Sequence, residues 1–225
     1  MIHKLLFTNK LHNIDIAIGI VIARDIDINQ PLPFLETKLR FLLEERQNKL
    51  NESEENFRLE SRNMLRNGDY KPTGRGKPAS EYLLRAVQED NFPRINTVVD
   101  INNYISLRYM VPISLWDLDN AASAQYIFRL GNENENFIFN ESGQKIELKD
   151  LVTGFKVDRY KEIPIINPIK DSLKTKTTTS TRNIGAAIYY PLKAGSKDYL
   201  REEIIWEFST LLEGISKEKP EYDII

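Results

Sequence analysis

The spacing of apolar residues changes period near the middle of this 225-residue chain, and that switch constrains the fold more than any single motif. Residues 13–27 read NIDIAIGIVIARDID. Ile14, Ile16, Ile18 and Ile20 alternate with smaller or polar neighbours, which with the Ile–Val content predicts a strand partly buried on both faces. Pro31 and Pro33 stop it, and from Phe34 the period is helical. Leu35, Leu39, Leu42 and Leu43 recur at three- and four-residue steps, and Phe57, Leu59, Met64 and Leu65 continue or restart the helix over residues 51–65. The charges between them form a solvated helix face. Asn67, Gly68, Pro72, Gly74 and Gly76 mark a loop. Pro78 then opens a helix over residues 79–89, with Tyr82, Leu83, Ala86 and Val87 on its inner face. Phe92 and Pro93 break it, and a largely buried helix runs from Asn96 until Pro112.

Beyond a polar turn with Asp117 and Asp119, the pattern is that of strands, at residues 124–130, 136–140, 145–148, 155–160, 163–166 and 184–190. The run KTKTTTST at residues 174–181 is read as an exposed strand from its β-propensity. Leu200, Ile204, Phe208, Leu211, Leu212 and Ile215 line a closing amphipathic helix over residues 196–217, with Ser196 as N-cap. With no repeat and no low-complexity linker, the expectation is a single α+β domain over residues 1–225. Residues 13–65 would form its first strand and helices, 66–191 its core region and 196–217 its last helix.

Composition removes several chemistries. The chain has no cysteine, so disulfides, thiolate nucleophiles and cysteine zinc sites are excluded. Its two histidines, His3 and His12, lie near the start, which excludes a mid-chain histidine base and a multi-histidine metal site. No metal and no cofactor are expected. A net charge of -2 makes no global case for nucleic acid, so any such contact needs a local basic patch. No stretch approaches the roughly 20 apolar residues that span a bilayer. Asn9, Lys10, His12, Asn13 and Asp15 interrupt any leader-like run. A cytoplasmic protein without membrane contact is expected, and its oligomeric state is left open.

Residues 71–119 concentrate the candidate chemistry. Asn96, Asp100, Asn103, Ser106, Ser114, Asp117 and Asp119 interrupt an otherwise apolar pattern. They read either as buried caps and ties or as one wall of a pocket. Without histidine or cysteine there, hydrolysis would need a positioned water. Lys71, Arg75, Lys77, Arg85 and Arg94 read either as ordinary surface or as phosphate contacts, with Tyr70 and Phe92 near enough to stack on bases. The fragment GRGK lacks the spacing of a phosphate-cradling P-loop.

Three blocks in this stretch, KPASEYLLRAV, FPRIN-x-VVD-x-x-N-x-x-S and P-x-x-x-x-DLD, resemble the B3/B4 domain of the phenylalanyl-tRNA synthetase beta subunit. They are still more similar to the free-standing form of that domain. YIFRL and DSLKTKTTTSTRNI follow in the family's order, so the resemblance spans about residues 59–190. It implies a B3/B4-like α+β fold with a mixed or antiparallel sheet core and flanking helices, and an association with tRNA. In the synthetase this domain hydrolyses tyrosine wrongly attached to phenylalanine tRNA. A free-standing copy would edit mischarged aminoacyl-tRNA in trans, by ester hydrolysis with an activated water, or bind RNA without catalysis. A protein that binds an amino acid or another small molecule is the third reading. The implied pocket groups are Asn103, Ser114, Asp117 and Asp171, with Ser106, Arg129, Thr175 and Thr177 as substrate contacts. Lys71, Arg75, Lys77, Arg85 and Arg94 would face RNA.

The sequence also departs from the synthetase. Asn103 falls on an asparagine of the editing region, but Ser114 stands where many synthetases carry a pocket histidine. DSLK at residues 171–174 replaces the glycine-rich segment with the pocket glutamate, Leu173 being nearest to it. The synthetase's choice of amino acid is therefore not carried over. No class II aminoacylation motif is present, so the chain is not expected to charge tRNA. RNA association is expected ahead of catalysis.

Overall fold

Strand β2 (Ile16–Ala23) is buried at every residue, which requires a layer of structure on each side of it. The computed structural model describes residues 5–192 and 198–225, so His3, Ser196 and Lys197 lie outside the described residues. Strand β9 (Ile184–Pro191) pairs antiparallel with all eight residues of β2, from Ile16 opposite Pro191 to Ala23 opposite Ile184. Strand β3 (Ile113–Asp117) flanks β9, and β10 (Glu221–Ile224) flanks β2, giving an antiparallel sheet in the order β10-β2-β9-β3.

Period-two alternation divides the two faces of this sheet. Ala17, Val21, Ala186, Ile188 and Tyr190 pack into a core with α1 (Pro33–Arg46), α3 (Ala79–Gln88), α4 (Thr97–Tyr109) and α6 (Asp198–Glu213). Ile16, Ile18, Ile20, Ile22, Trp116, Ala187 and Tyr189 belong to a second core, shared with Tyr126, Phe128, Ile165 and Ile166 of another sheet. That sheet runs β1 (Leu6–Asn9), β4 (Gln125–Leu130), β7 (Val152–Asp158), β8 (Lys161–Ile166). β1 is parallel to β4 and the remaining pairs are antiparallel. The hairpin β5 (Asn136–Ile138) and β6 (Lys145–Glu147) stands apart, and α2 (Glu52–Asn63) begins on a capping box between Asn51 and Glu54. The fold is thus α+β, with helices, an antiparallel sheet and a mixed sheet in successive layers. Among the described residues, no helix is long and apolar enough to cross a membrane.

The expected strands and helices form within a few residues of the positions read from periodicity, and four segments differ. Residues 113–121 are not a turn but β3 followed by the short helix α5 (Leu118–Ala121). β3 is buried at all five residues, and tertiary pairing with β9 overrides the weak strand signal of a segment that follows Pro112 and contains Ser114. The Lys-Thr run is not a strand. It begins as a 3-10 turn (Leu173–Thr175), and the side chains of Thr178 and Thr181 then take amide hydrogens that a ladder would use. The terminal strands β1 and β10 were not anticipated, both being only four residues long.

One close approach fixes the register of β3. Trp116 lies opposite Gly185, and a Cβ at position 185 would stand 2.2 Å from the indole ring. Gly185→Ala should therefore cost about 1–3 kcal/mol by overpacking. Urea denaturation would show it as a lower midpoint with an unchanged slope, and equal midpoints would show that Trp116 is free to move.

Candidate functional site

The loop after β8 places two neighbouring residues in opposite environments. Asn167 Oδ1 accepts the amides of Ile169 and Lys170 at 2.9 Å each, an Asx-turn that reverses the chain. Ser172 N then donates back to Ile165 O at 2.7 Å, and Pro168 O accepts Ala79 N at 2.9 Å, tying the turn to the start of α3. Lys170 is directed outward, its Nζ 5.0 Å from the Tyr82 ring centroid and 5.6 Å from that of Phe139. Asp171 is directed inward, its Oδ2 accepting Leu115 N at 3.1 Å.

Beside that amide lies Ser114, a fully buried hydroxyl on the face of β3 turned toward the mixed sheet. Ser114 Oγ is 2.9 Å from Asn167 O and 3.2 Å from the Tyr189 hydroxyl. A serine has one proton to give. With Ser114 donating to the Asn167 carbonyl, Tyr189 donates to Ser114. Burial, followed by the nearby Asp171 charge, pushes the Tyr189 phenol well above its ordinary range, so it remains a donor.

Asp171 itself keeps some exposure as a residue, but its Oδ1 is sealed from solvent and has no partner among the described residues. Desolvation pushes its carboxyl up to about 7, opposed by the Leu115 amide and by the Lys176 and Lys170 charges. Asn167 Nδ2 and Thr175 Oγ1 are also buried without a partner. Three unsatisfied polar atoms thus fall within nine residues of one segment, on groups able to donate to or accept from a water. A carboxyl that changes charge near neutral pH has the proton affinity that a general base requires.

The outward side of the same turn is basic. Tyr70 and Tyr82 hydroxyls donate to the carbonyls of Gly76 and Gly74, at 2.9 and 3.2 Å, and so pin the loop that carries Lys71, Arg75 and Lys77. Among the described residues none of these three cations has a carboxylate within ion-pair distance. Lys176 Nζ donates to Phe139 O at 2.6 Å, which brings a further cation to the aromatic pair. Desolvation, with the like charge of Lys176, lowers the Lys170 pKa.

The other expected site residues are placed as follows. Ser114 and Asp171 adjoin, and Thr175 lies in the same segment. Asp117 caps α5 through the Asn120 amide and takes the Thr181 hydroxyl on its other oxygen. Asn103 accepts from Asn102 Nδ2 at 3.4 Å on α4, and Ser106 donates to Val111 O at 2.6 Å where that helix ends. No hydrogen bond joins either of them to Ser114 or Asp171. Arg129 lies on the mixed sheet, bidentate to Glu135, bonded to Glu162 and 3.7 Å over the Phe155 ring. Thr177 is half-buried beyond the 3-10 turn. Of the remaining cations, Arg94 bridges Glu36 and Asp100, and Arg85 pairs with Glu89. Tyr70 and Phe92 are both partly buried against the core clusters.

Asn167, Lys170, Tyr189, Phe139 and the partly exposed ring of Tyr82 escaped the sequence reading, whereas Lys176 belongs to the Lys-Thr run whose lysines could also line a pocket or meet a phosphate. Asn-Pro at 167–168 is a turn signal that could have marked the reversal. Nothing in strand periodicity distinguishes Tyr189 from an ordinary core tyrosine. Among the described residues, no group of three or more histidine, aspartate or glutamate side chains is arranged to hold a metal ion.

A family model described as B3/4 domain matches residues 72–195. The phenylalanine–tRNA ligase beta subunit of Oceanobacillus iheyensis is 32% identical over 77 residues, which is 34% of this chain and 10% of that protein. The crystal structure of an N-terminal fragment of the phenylalanyl-tRNA synthetase beta subunit from Pyrococcus horikoshii aligns at a TM-score of 0.44 and 11% identity. That alignment covers 98% of this chain and 50% of the fragment. The chain therefore spans about a tenth of the curated relative.

The Asp171 environment makes stability depend on pH. Its folded pKa, about 7, lies above the ordinary 3.8, so the stability it confers is complete below about 4 and is lost as pH rises through about 7. The loss is on the order of 4 kcal/mol. Asp171→Asn should remove most of that slope and exceed the parent's stability at pH 8. Urea titrations from pH 4 to pH 8 measure both, and parallel pH profiles would mean that Asp171 ionises normally.

Proposed function

The chain belongs to the B3/4 domain family, and from that premise we propose that it binds RNA, with transfer RNA as the partner class. The supporting observation is the convergence of two basic segments, residues 71–77 and 170–176, on the aromatic pair Tyr82 and Phe139. Unpaired lysine and arginine supply phosphate affinity, and the half-buried rings of Tyr82 and Phe139 supply stacking through their uncovered parts. The local patch answers the absence of a favourable global charge. The relative's name, a phenylalanine–tRNA ligase subunit, agrees with tRNA over other RNAs.

A second reading places hydrolysis at the inward side of the same turn, and the near-neutral Asp171 carboxyl favours it. For this the turn must open to admit the ester, because Asp171 Oδ1 is sealed from solvent in the folded chain; water held by Asp171 Oδ1 and its unsatisfied neighbours would then attack the aminoacyl ester carbonyl, Asp171 taking the water proton. The 3′-hydroxyl of the tRNA leaves with a proton and the amino acid leaves as the free carboxylate. Ionised Asp171 is the working form, so the rate should rise with pH through about 7.

Fluorescence anisotropy with tRNA tests the binding. Affinity should fall steeply with salt, and Lys71→Ala/Arg75→Ala/Lys77→Ala should reduce the slope of log affinity against log salt by about two to three. Absent or salt-independent binding overturns the proposal. Incubation with a panel of mischarged tRNAs tests the chemistry. Ester release is expected to drop about 100-fold or more in Asp171→Asn, whose RNA affinity should not fall. Release no faster than the spontaneous rate for every pair removes the hydrolytic reading and leaves RNA binding in place.

A further inference from the structure

Beside the basic loop, on the flank of α3, a cavity of about 380 Å³ is lined by Arg58, Arg62, Lys77, Arg85, Glu81 and Tyr82, among others. Two helices build it. Arg58 and Arg62 lie one turn apart on α2, and Glu81, Tyr82 and Arg85 lie on the facing side of α3. Glu81 accepts from both arginines, its side chain only 8% exposed, and so holds the two guanidinium groups side by side at the wall.

The charge is not balanced within the cavity. Among the described residues, four cations line it against the single carboxylate of Glu81. Glu55 and Glu89 act from outside, each on an arginine that it reaches along its own helix. Arg85 binds Glu89 through Nε, leaving both terminal nitrogens available, and Lys77 has no carboxylate partner among the described residues. A half-buried lysine without a carboxylate partner and a guanidinium with free terminal nitrogens, beside two guanidinium groups already fixed, suit an oxyanion with several acceptor oxygens. The volume exceeds what a lone phosphate fills, and the Tyr82 ring supplies a flat apolar wall.

We propose that this cavity holds one nucleotide, its phosphate on Lys77 and Arg85 and its base against Tyr82. Because Tyr82 also carries Lys170 on its ring, the cavity continues the basic face. The nucleotide is a unit of a bound RNA, and to that extent the assignment rests on the RNA-binding reading. A free mononucleotide presents the same chemistry.

Calorimetric titration of the full chain with AMP, inorganic phosphate and adenosine tests the pocket, and anisotropy with a single-stranded RNA separates the sources. AMP should bind about fivefold or more tighter than phosphate, and adenosine should bind more weakly than AMP. Lys77→Ala/Arg85→Ala should weaken AMP at least about tenfold, whereas Lys161→Ala, at the outer edge of the mixed sheet, should change nothing. No heat with AMP and phosphate, or equal AMP affinity in the double variant, overturns the site. RNA that binds equally well to the double variant also overturns it, while leaving RNA binding at the remaining basic face intact. AMP binding that depends on Lys77 and Arg85, with no RNA binding, keeps the site as one for free nucleotides and defeats the RNA reading instead. Circular dichroism of each variant confirms that a loss is not unfolding.

Discussion

Everything in this molecule depends on the β2–β9 pair being covered on both faces. Eight residues of each strand are buried, so their backbone groups must bond within the plane of the sheet and their side chains must be content without water. Fourteen of those sixteen side chains satisfy this by being apolar or absent, and the two tyrosines of β9 do so through their hydroxyls. Tyr190 reaches the Arg201 carbonyl on the helical side, and Tyr189 meets Ser114 on the other. The polar cluster at Ser114 thus exists where a two-sided sheet has to accommodate hydroxyl groups, and the Asn167 turn supplies the carbonyl that completes it.

That origin explains why burial and chemistry coincide there. Asp171 is brought to the edge strand β3 to satisfy the Leu115 amide, a structural task at the free edge of the sheet. Meeting it strips the carboxylate of water and raises its proton affinity. Cations separated by a hundred residues gather on the solvent side of the same turn because Pro168 is fastened to the first amide of α3. One short reversal therefore holds an anion-attracting surface against a proton-accepting interior.

Much of this was legible in advance where the signal was periodic. The alternation in β2, the helical steps of α1 and α4 and the closing helix all follow from apolar spacing, and family motifs marked residues 71–119 as the centre of interest. The pocket was legible only in part. Ser114 and Asp171 were paired through resemblance, whereas their actual link, by way of Asn167 and Tyr189, is a tertiary one that no spacing encodes. β3 was hidden because five buried residues paired to a neighbour need little intrinsic propensity. The Lys-Thr run misled for the converse reason. Threonine favours strands on a pleated surface, but its hydroxyl bonds its own backbone equally well when no partner strand is at hand.

The opposed directions of Lys170 and Asp171 have a further meaning. The lysine charge helps Asp171 to ionise, and the carboxylate in turn supports the charge on Lys170. An anion resting on Lys170 offsets that help, so the carboxyl behind it holds its proton more firmly while the outer surface is occupied. By thermodynamic reciprocity the protonated interior makes the surface more receptive to anions. Because one peptide bond separates the two residues, charge on the outer surface and protonation of the inner carboxyl are linked in sign.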